Sequence, residues 1–150
     1  MANTFTCLQY HVVFSTKNRE LWIRPAIEQR LWEFLGGIAR QNKLRALLIG
    51  GVDDHVHILL GVPATISVSD AVKQIKGSSS GWIKANLPGC HSFAWQDGYG
   101  AFTVSKSLTP EVKDYIGAQR EHHRSKTFQE EYRALLERHE IEYNEKYLWD

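Results

Sequence analysis

Residues 44–62 read LRALLIGGVDDHVHILLGV. Two apolar runs, 44–52 and 55–62, meet around Asp53 and Asp54, and Pro63 ends the second. Runs of this length and composition, joined so tightly, read as two neighbouring antiparallel strands. The same stretch is no membrane span, because Arg45, Asp53, Asp54 and two histidines break it. Those histidines, His55 and His57, sit at alternate positions of the second strand. They therefore share one face, roughly 7 Å apart along the chain. Val56, Ile58 and Leu60 take the other face and bury against helices. Two neutral imidazoles so placed can converge on one cation. An H-x-H pair is also compatible with an exposed sheet face that binds nothing, and two ligands alone make an incomplete site.

The remaining chain supplies the rest of a sheet and its helices. Residues 5–16, FTCLQYHVVFST, form the first strand by their β-branched and aromatic content. Pro25 opens a helix over 26–42, with Ile27, Leu31, Phe34, Leu35 and Ile38 as its apolar stripe. Ser67 or Ser69 caps a second helix, 70–87, whose Val72, Ile75, Ser79, Trp82 and Ile83 share a face. Residues 101–107 make a fourth strand. Thr109 as N-cap, Pro110 and Glu111 then announce a helix over 110–124, followed by a charged helical segment from 127 to about 142. The order β-α-β-β-α-β-α predicts an α+β fold, an antiparallel four-stranded sheet with helices on one face. No repeat or low-complexity linker divides the chain, so residues 1–150 are expected to be one domain, with a core of about 5–124 and a helical, acidic C-terminal extension of about 125–150.

Net charge is +1, but residues 1–127 hold 15 Lys/Arg against 10 Asp/Glu, and 128–150 hold 3 against 7. A basic body is compatible with a polyanionic partner, and the acidic end is equally compatible with a solvated helix. Cys7 and Cys90 are too few and too far apart for a disulfide framework or metal knuckle. The N-terminal residues carry no basic leader, so a reduced cytoplasm is the expected setting.

On the third helix, Tyr115 and Gln119 are four residues apart and share a face, about 6 Å from each other. His122 and His123 extend that side. A tyrosine hydroxyl is a competent nucleophile for phosphoryl transfer, and a histidine-held cation could polarise the phosphate under attack. Lys73, Lys76, Lys84, Lys106, Arg120 and Arg124 could track a nucleic-acid backbone, with Trp82, Trp95 and Tyr99 as stacking faces or as core.

Five ordered stretches make the pattern specific: 10-YHVVFSTKNRE-20, 54-DHVHILL-60, 73-KQIKGSSS-80, 95-WQDGYGAFTVS-105 and 115-YIGAQREHH-123. Together they resemble the single-tyrosine HUH (His-hydrophobic-His) transposases of the smallest bacterial insertion sequences, often called TnpA, and their relatives associated with repetitive extragenic palindromes. The resemblance implies a ferredoxin-like fold. It implies that His55 and His57 bind a divalent cation, magnesium or manganese, with Gln119 as the third metal position. Tyr115 matches the nucleophile that attacks single-stranded DNA near hairpins, leaving a 5′-phosphotyrosine and a free 3′-hydroxyl. A homodimer is implied too, with the tyrosine helix of one subunit able to serve the histidines of the other. Ligand chemistry alone ranks zinc ahead of magnesium at imidazoles, unless phosphate and water oxygens complete the shell. Asp54 is placed to orient the histidines. His123 departs from the family pattern and either competes with Gln119 for the cation or touches DNA.

The rival enzymes fit less well. Rolling-circle initiators and relaxases usually carry further domains, and the H-x-H zinc hydrolases are larger barrels. Histidine-triad hydrolases need a third alternating histidine, where position 59 is Leu. The alternative from another class is a domesticated, non-catalytic binder of hairpin DNA, which would have no need of His55, His57, Tyr115 and Gln119 together.

Overall fold

The continuous apolar run Val12-Val13-Phe14 demands cover on both sides of its strand, and the fold provides it. The computed structural model describes residues 3–149. Strand β1 (Gln9–Ser15) begins later than residue 5, because residues 3–8 are exposed and have no layer to pack on. Helix α1 (Pro25–Gln41) starts at its proline and buries Leu31, Leu35, Ile38 and Ala39. Strands β2 (Arg45–Val52) and β3 (His55–Gly61) form the hairpin. Helix α2 (Val68–Asn86) is capped by Ser67, whose hydroxyl accepts from the Asp70 amide at 3.1 Å. Strand β4 (Gly100–Val104) completes an antiparallel sheet of order β2-β3-β1-β4.

The expected helix over 110–124 is two pieces, α3 (Thr109–Gly117) and α4 (Gln119–His122), because Ala118 leaves helical geometry (φ −101°, ψ 22°) directly after Gly117. Thr109 is not the N-cap either. Leu108 occupies that position, and the Thr109 hydroxyl donates to Gln9 Oε1 at 2.7 Å, tying α3 to β1. Helix α5 (Phe128–Arg138) is capped by Thr127, and a short α6 (Glu145–Leu148), not expected from the sequence, closes the tail. Arg19 and Arg133 stand over the Trp149 ring, and Arg133 pairs with Glu145 at 2.5 Å, so the tail folds back on the body.

Helices cover both faces rather than one. Val12, Phe14, Val56, Ile58 and Leu60 build the main core with α1 and α2. On the opposite face Leu59 and Val104 pack with Ile116 of α3, while Val13 and Phe102 pack with Phe128, Tyr132, Leu135 and Leu136 of α5. One row across the sheet explains the close approach of α3 and α5. Gly50 pairs with His57, His57 with Val13, and Val13 with Gly100. A Cβ at Gly50 would lie 2.5 Å from the Ile116 carbonyl oxygen, and one at Gly100 would lie 2.8 Å from the Tyr132 ring. Glycine at each end of the row opens a trough, and His57 and Val13 lie between the two glycines.

Candidate active site

Alternation on β3 places His55 and His57 on the α3–α5 face, and both are fully buried. Their rings are 5.0 Å apart. Asp54, at the hairpin turn, reaches His55 Nδ1 with Oδ1 at 2.7 Å, the contact an orienting carboxylate makes. His55 Nε2 points the other way, 3.1 Å from Gln119 Oε1 and 3.3 Å from Glu131 Oε1. Both ring nitrogens thus face acceptors. Burial alone would lower the pKa of His55, but the hydrogen bonds to Asp54 and Glu131 outweigh it and push it up to about 9. His57 is held neutral: burial takes it down to about 4 against the opposing pull of Glu131.

Two members of the cluster escaped the sequence reading. His11, on β1, lies with its Nε2 2.7 Å from His57 Nδ1, and burial with the neighbouring His57 lowers it to about 3. With its Nε2–H given to the Glu131 carboxylate, neutral His57 accepts from His11 at Nδ1. Glu131, on α5, is 2 % exposed. Its Oε1 accepts from His57 Nε2 and His123 Nε2, each at 3.0 Å, and its Oε2 accepts from Gln119 Nε2 at 3.2 Å and from the Tyr115 hydroxyl. Burial would raise this carboxyl, yet the imidazole hydrogen bonds hold it far below the usual carboxylate range. The signal was present in the sequence. Phe128, Tyr132, Leu135 and Leu136 make the buried stripe of α5, and Glu131 is the one charged residue set into it.

The half-buried Tyr115 comes off α3 with its ring 5.8 Å from that of His57. Burial and the Glu131 hydrogen bond raise its pKa, so the phenol keeps its proton in this arrangement. Gln119 stays beside it across the helix break, its Nε2 3.4 Å from the Tyr115 carbonyl. One ligand atom from each of His55, His57 and Glu131 lies within 4.8 Å of the others. Two imidazoles, a carboxylate and the Gln119 amide oxygen form a donor set suited to a divalent cation, and a buried anion at their centre favours positive charge there.

The other candidates lie elsewhere. Lys76 Nζ donates to the carbonyls of Gln96, Asp97 and Gly98 at 2.5, 3.1 and 2.8 Å, fastening that loop to α2. Lys106 is exposed on the turn before α3. Arg120 pairs with Glu28 and lies 3.6 Å from Asp53, and Arg124 lies 3.3 Å from Glu121. Both arginines, with Asp54, His123 and Lys126, line a cleft of about 480 Å³. A second cleft, about 310 Å³, is lined by Tyr115, His11, Phe102, Val112, Arg138 and His139. The Nδ1 of His123 is 2.6 Å from the Lys126 carbonyl, and its Nε2 is 3.0 Å from Glu131 Oε1.

Residues 4–119 match the protein family described as "Transposase IS200 like". The chain belongs to this family. Among its relatives the ISDra2 transposase TnpA of Deinococcus radiodurans is 29% identical over 119 residues, covering 75% of this chain and 84% of that protein. The transposase for insertion sequence element IS200 of Salmonella typhimurium is 30% identical over 127 residues, covering 81% and 82%. A solved Deinococcus radiodurans structure, described as that of a transposase candidate, superposes with a TM-score of 0.66 at 27% identity over 79% of this chain and 95% of that one. The fold is also that of a REP-associated tyrosine transposase solved bound to a REP hairpin, with a TM-score of 0.59 at 15% identity over 82% and 74%. As an IS200-like transposase the protein is a DNA endonuclease and strand transferase by class. The span matched to the family ends at Gln119, and Glu131 enters the site from beyond it.

Proposed function

We propose that this IS200-like transposase cuts and rejoins single-stranded DNA beside hairpins through a covalent 5′-phosphotyrosine on Tyr115. One observation carries the reading: the Tyr115 phenol and the Gln119 amide meet His55 and His57 in one hydrogen-bonded, largely buried cluster. His55, His57 and Gln119 hold a divalent cation, magnesium or manganese. Bound there, it would supply Lewis-acid polarisation of the scissile phosphate and stabilisation of the departing oxygen. The chain does the rest. The Tyr115 oxygen forms the new P–O bond and the P–O3′ bond breaks. The phenol gives up its proton and the 3′ oxygen gains one, so one phosphodiester is exchanged for another. Rejoining by a 3′-hydroxyl is the same step reversed and needs no external energy source.

Asp54 fixes the ring of His55 through Nδ1, and His123 props Glu131 from the far side. Arg120, Arg124 and Lys106 offer charge to the DNA backbone, while Lys76 supports the strand-bearing loop that follows α2. Hairpin substrates enter this reading from the family resemblance and from the relative bound to a REP hairpin. The unit spans residues 1–150, with a core of about 5–124 and an extension of about 125–150, and works in the cytoplasm. Among the described residues no helix is long and apolar enough to cross a membrane. A homodimer belongs to the proposal; in this chain Tyr115 stands beside the histidines of its own subunit.

The test is a covalent protein–DNA adduct, formed on single-stranded oligonucleotides carrying the hairpins that flank the gene, with magnesium or manganese. It should appear with the wild type and vanish in Tyr115→Phe and in chelator. An adduct that survives in the Phe variant assigns the nucleophile elsewhere. Tight hairpin binding with no adduct under any condition makes the protein a non-catalytic binder.

A further inference from the structure

Helix α5 lies beyond the span matched to the family, yet it sets a carboxylate into the centre of the site. We infer that Glu131 is a working ligand of the cation site, joining His55, His57 and Gln119, and that α5 is thereby part of the catalytic unit. This rests on the cation-dependent reading above and extends its ligand set.

Three observations lead there. First, the position of Glu131 does not depend on the imidazoles it meets. Phe128, Tyr132, Leu135 and Leu136 anchor α5 on Val13 and Phe102, and Gly100 makes room for Tyr132, the residue next to Glu131 in sequence. The helix would carry its residue 131 to this spot whatever that residue was. Second, a buried carboxylate is costly unless positive charge answers it. No Lys or Arg pairs with Glu131 among the described residues; its partners are three imidazoles, an amide and a phenol. His55 Nε2 faces both Gln119 Oε1 and Glu131 Oε1, so the donors converge on one place. A cation in that place answers the demand of the buried carboxylate. Third, the donor chemistry improves. Two imidazoles alone favour transition metals, and a carboxylate with an amide oxygen moves the set toward the harder magnesium and manganese.

The two oxygens of Glu131 also divide the work. Oε1 faces the imidazoles, and Oε2 accepts from the Tyr115 hydroxyl and from Gln119 Nε2. A single carboxylate thus fixes the nucleophile relative to the cation site from within one chain.

The opposite role is a plug, in which Glu131 fills the site and competes with the cation. The two roles predict opposite signs. Manganese affinity, read by electron paramagnetic resonance of free Mn²⁺ and by calorimetry on the full-length chain, should fall at least tenfold in Glu131→Gln, a nearly isosteric change. Unchanged or tighter binding overturns the inference. Circular dichroism and thermal unfolding establish that the variant is folded. Hydrogen exchange on the wild type gives a second reading that needs no variant: magnesium should slow exchange across residues 127–138. Unchanged or faster exchange there overturns the inference as well. The two proposals fail separately. If the wild type binds neither cation, the cation-dependent reading falls and takes this one with it. If it binds and makes the adduct while Glu131→Gln binds equally well, only the role of Glu131 falls.

Discussion

On the face that meets α1 and α2, β3 presents Val56, Ile58 and Leu60; on the face that meets α3 and α5 it presents His55, His57 and Leu59. All six are buried to within 1 %. The first set is held by apolar packing that tolerates no polar atom. In the second, the two imidazoles are held by a chain of hydrogen bonds running through Asp54, Gln119, Glu131 and His11. Burial is therefore not the distinction between core and site in this molecule. The distinction is what satisfies the buried atoms, and it separates the variants that unfold the chain from those that silence it.

The largest effect should come from the apolar face. Ile58→Ala leaves a cavity among α1, α2 and β1 and is expected to cost about 2–5 kcal/mol in urea or thermal unfolding. The protein that remains folded should bind manganese as the wild type does, because Ile58 points away from the histidines. A loss below 1 kcal/mol, or a manganese defect in the folded fraction, would erase the division between the two faces.

Gly50→Ala tests the other face through the backbone. The new Cβ meets the Ile116 carbonyl oxygen at 2.5 Å, a main-chain atom that moves only if α3 moves. Displacing α3 carries Tyr115 with it, so a cost of about 3 kcal/mol should accompany a fall in adduct formation by the folded protein. Gly100→Ala meets the Tyr132 side chain at 2.8 Å, not the main chain of a helix, and should cost less. Equal costs would mean that α3 and α5 are equally free to retreat.

These two faces also differ in how far the sequence exposed them. The strands, the hairpin at Asp53-Asp54, the main helices and the pairing of Tyr115 with Gln119 follow from periodicity and turn chemistry, which are local. The second helical layer does not, although Val12-Val13-Phe14 hinted at it by abandoning alternation. In the sequence Glu131 is one acid among the seven of an acidic extension. Its meaning depends on α5 folding back over the sheet, a long-range event that no spacing near the histidines records. His11 was hidden differently: it occupies an inward position of β1, and only the strand register brings it beside His57. The break at Gly117-Ala118 shows the converse, because Tyr115 and Gln119 stay together although the spacing predicts one helix where the chain forms two.

Alkaline pH should loosen the site face alone. Burial pushes the Tyr132 phenol up to about 12 in the folded chain, against about 10 when unfolded. The folded state thus holds its proton more tightly. The stability this contributes, on the order of 2 kcal/mol, is complete below pH 10 and is lost as pH rises through 12. Tyr115, raised as well, adds to the same window. Unfolding free energy measured from pH 9 to 12 should therefore fall steeply in the wild type, less so in Tyr132→Phe, and least in the double variant with Tyr115→Phe. Identical slopes in all three would place the alkaline sensitivity outside the α3–α5 layer.

The smallest effect probes whether α5 can be weakened without touching the opposite layer. The Thr127 hydroxyl accepts from the Glu130 amide at 3.2 Å and caps the helix that carries Glu131. Thr127→Ala removes that cap at a cost of about 1 kcal/mol. Helix α5 rests on the sheet through four large side chains, whereas α1 and α2 share the main core with the central strands. The loss should therefore appear as local opening: amides of 128–138 exchange roughly five times faster, while those of α1 and α2 keep their protection. Uniform acceleration across all helices would mean that α5 opens only when the whole chain unfolds. The two layers would then be one cooperative unit, and the site could not be loosened apart from the core.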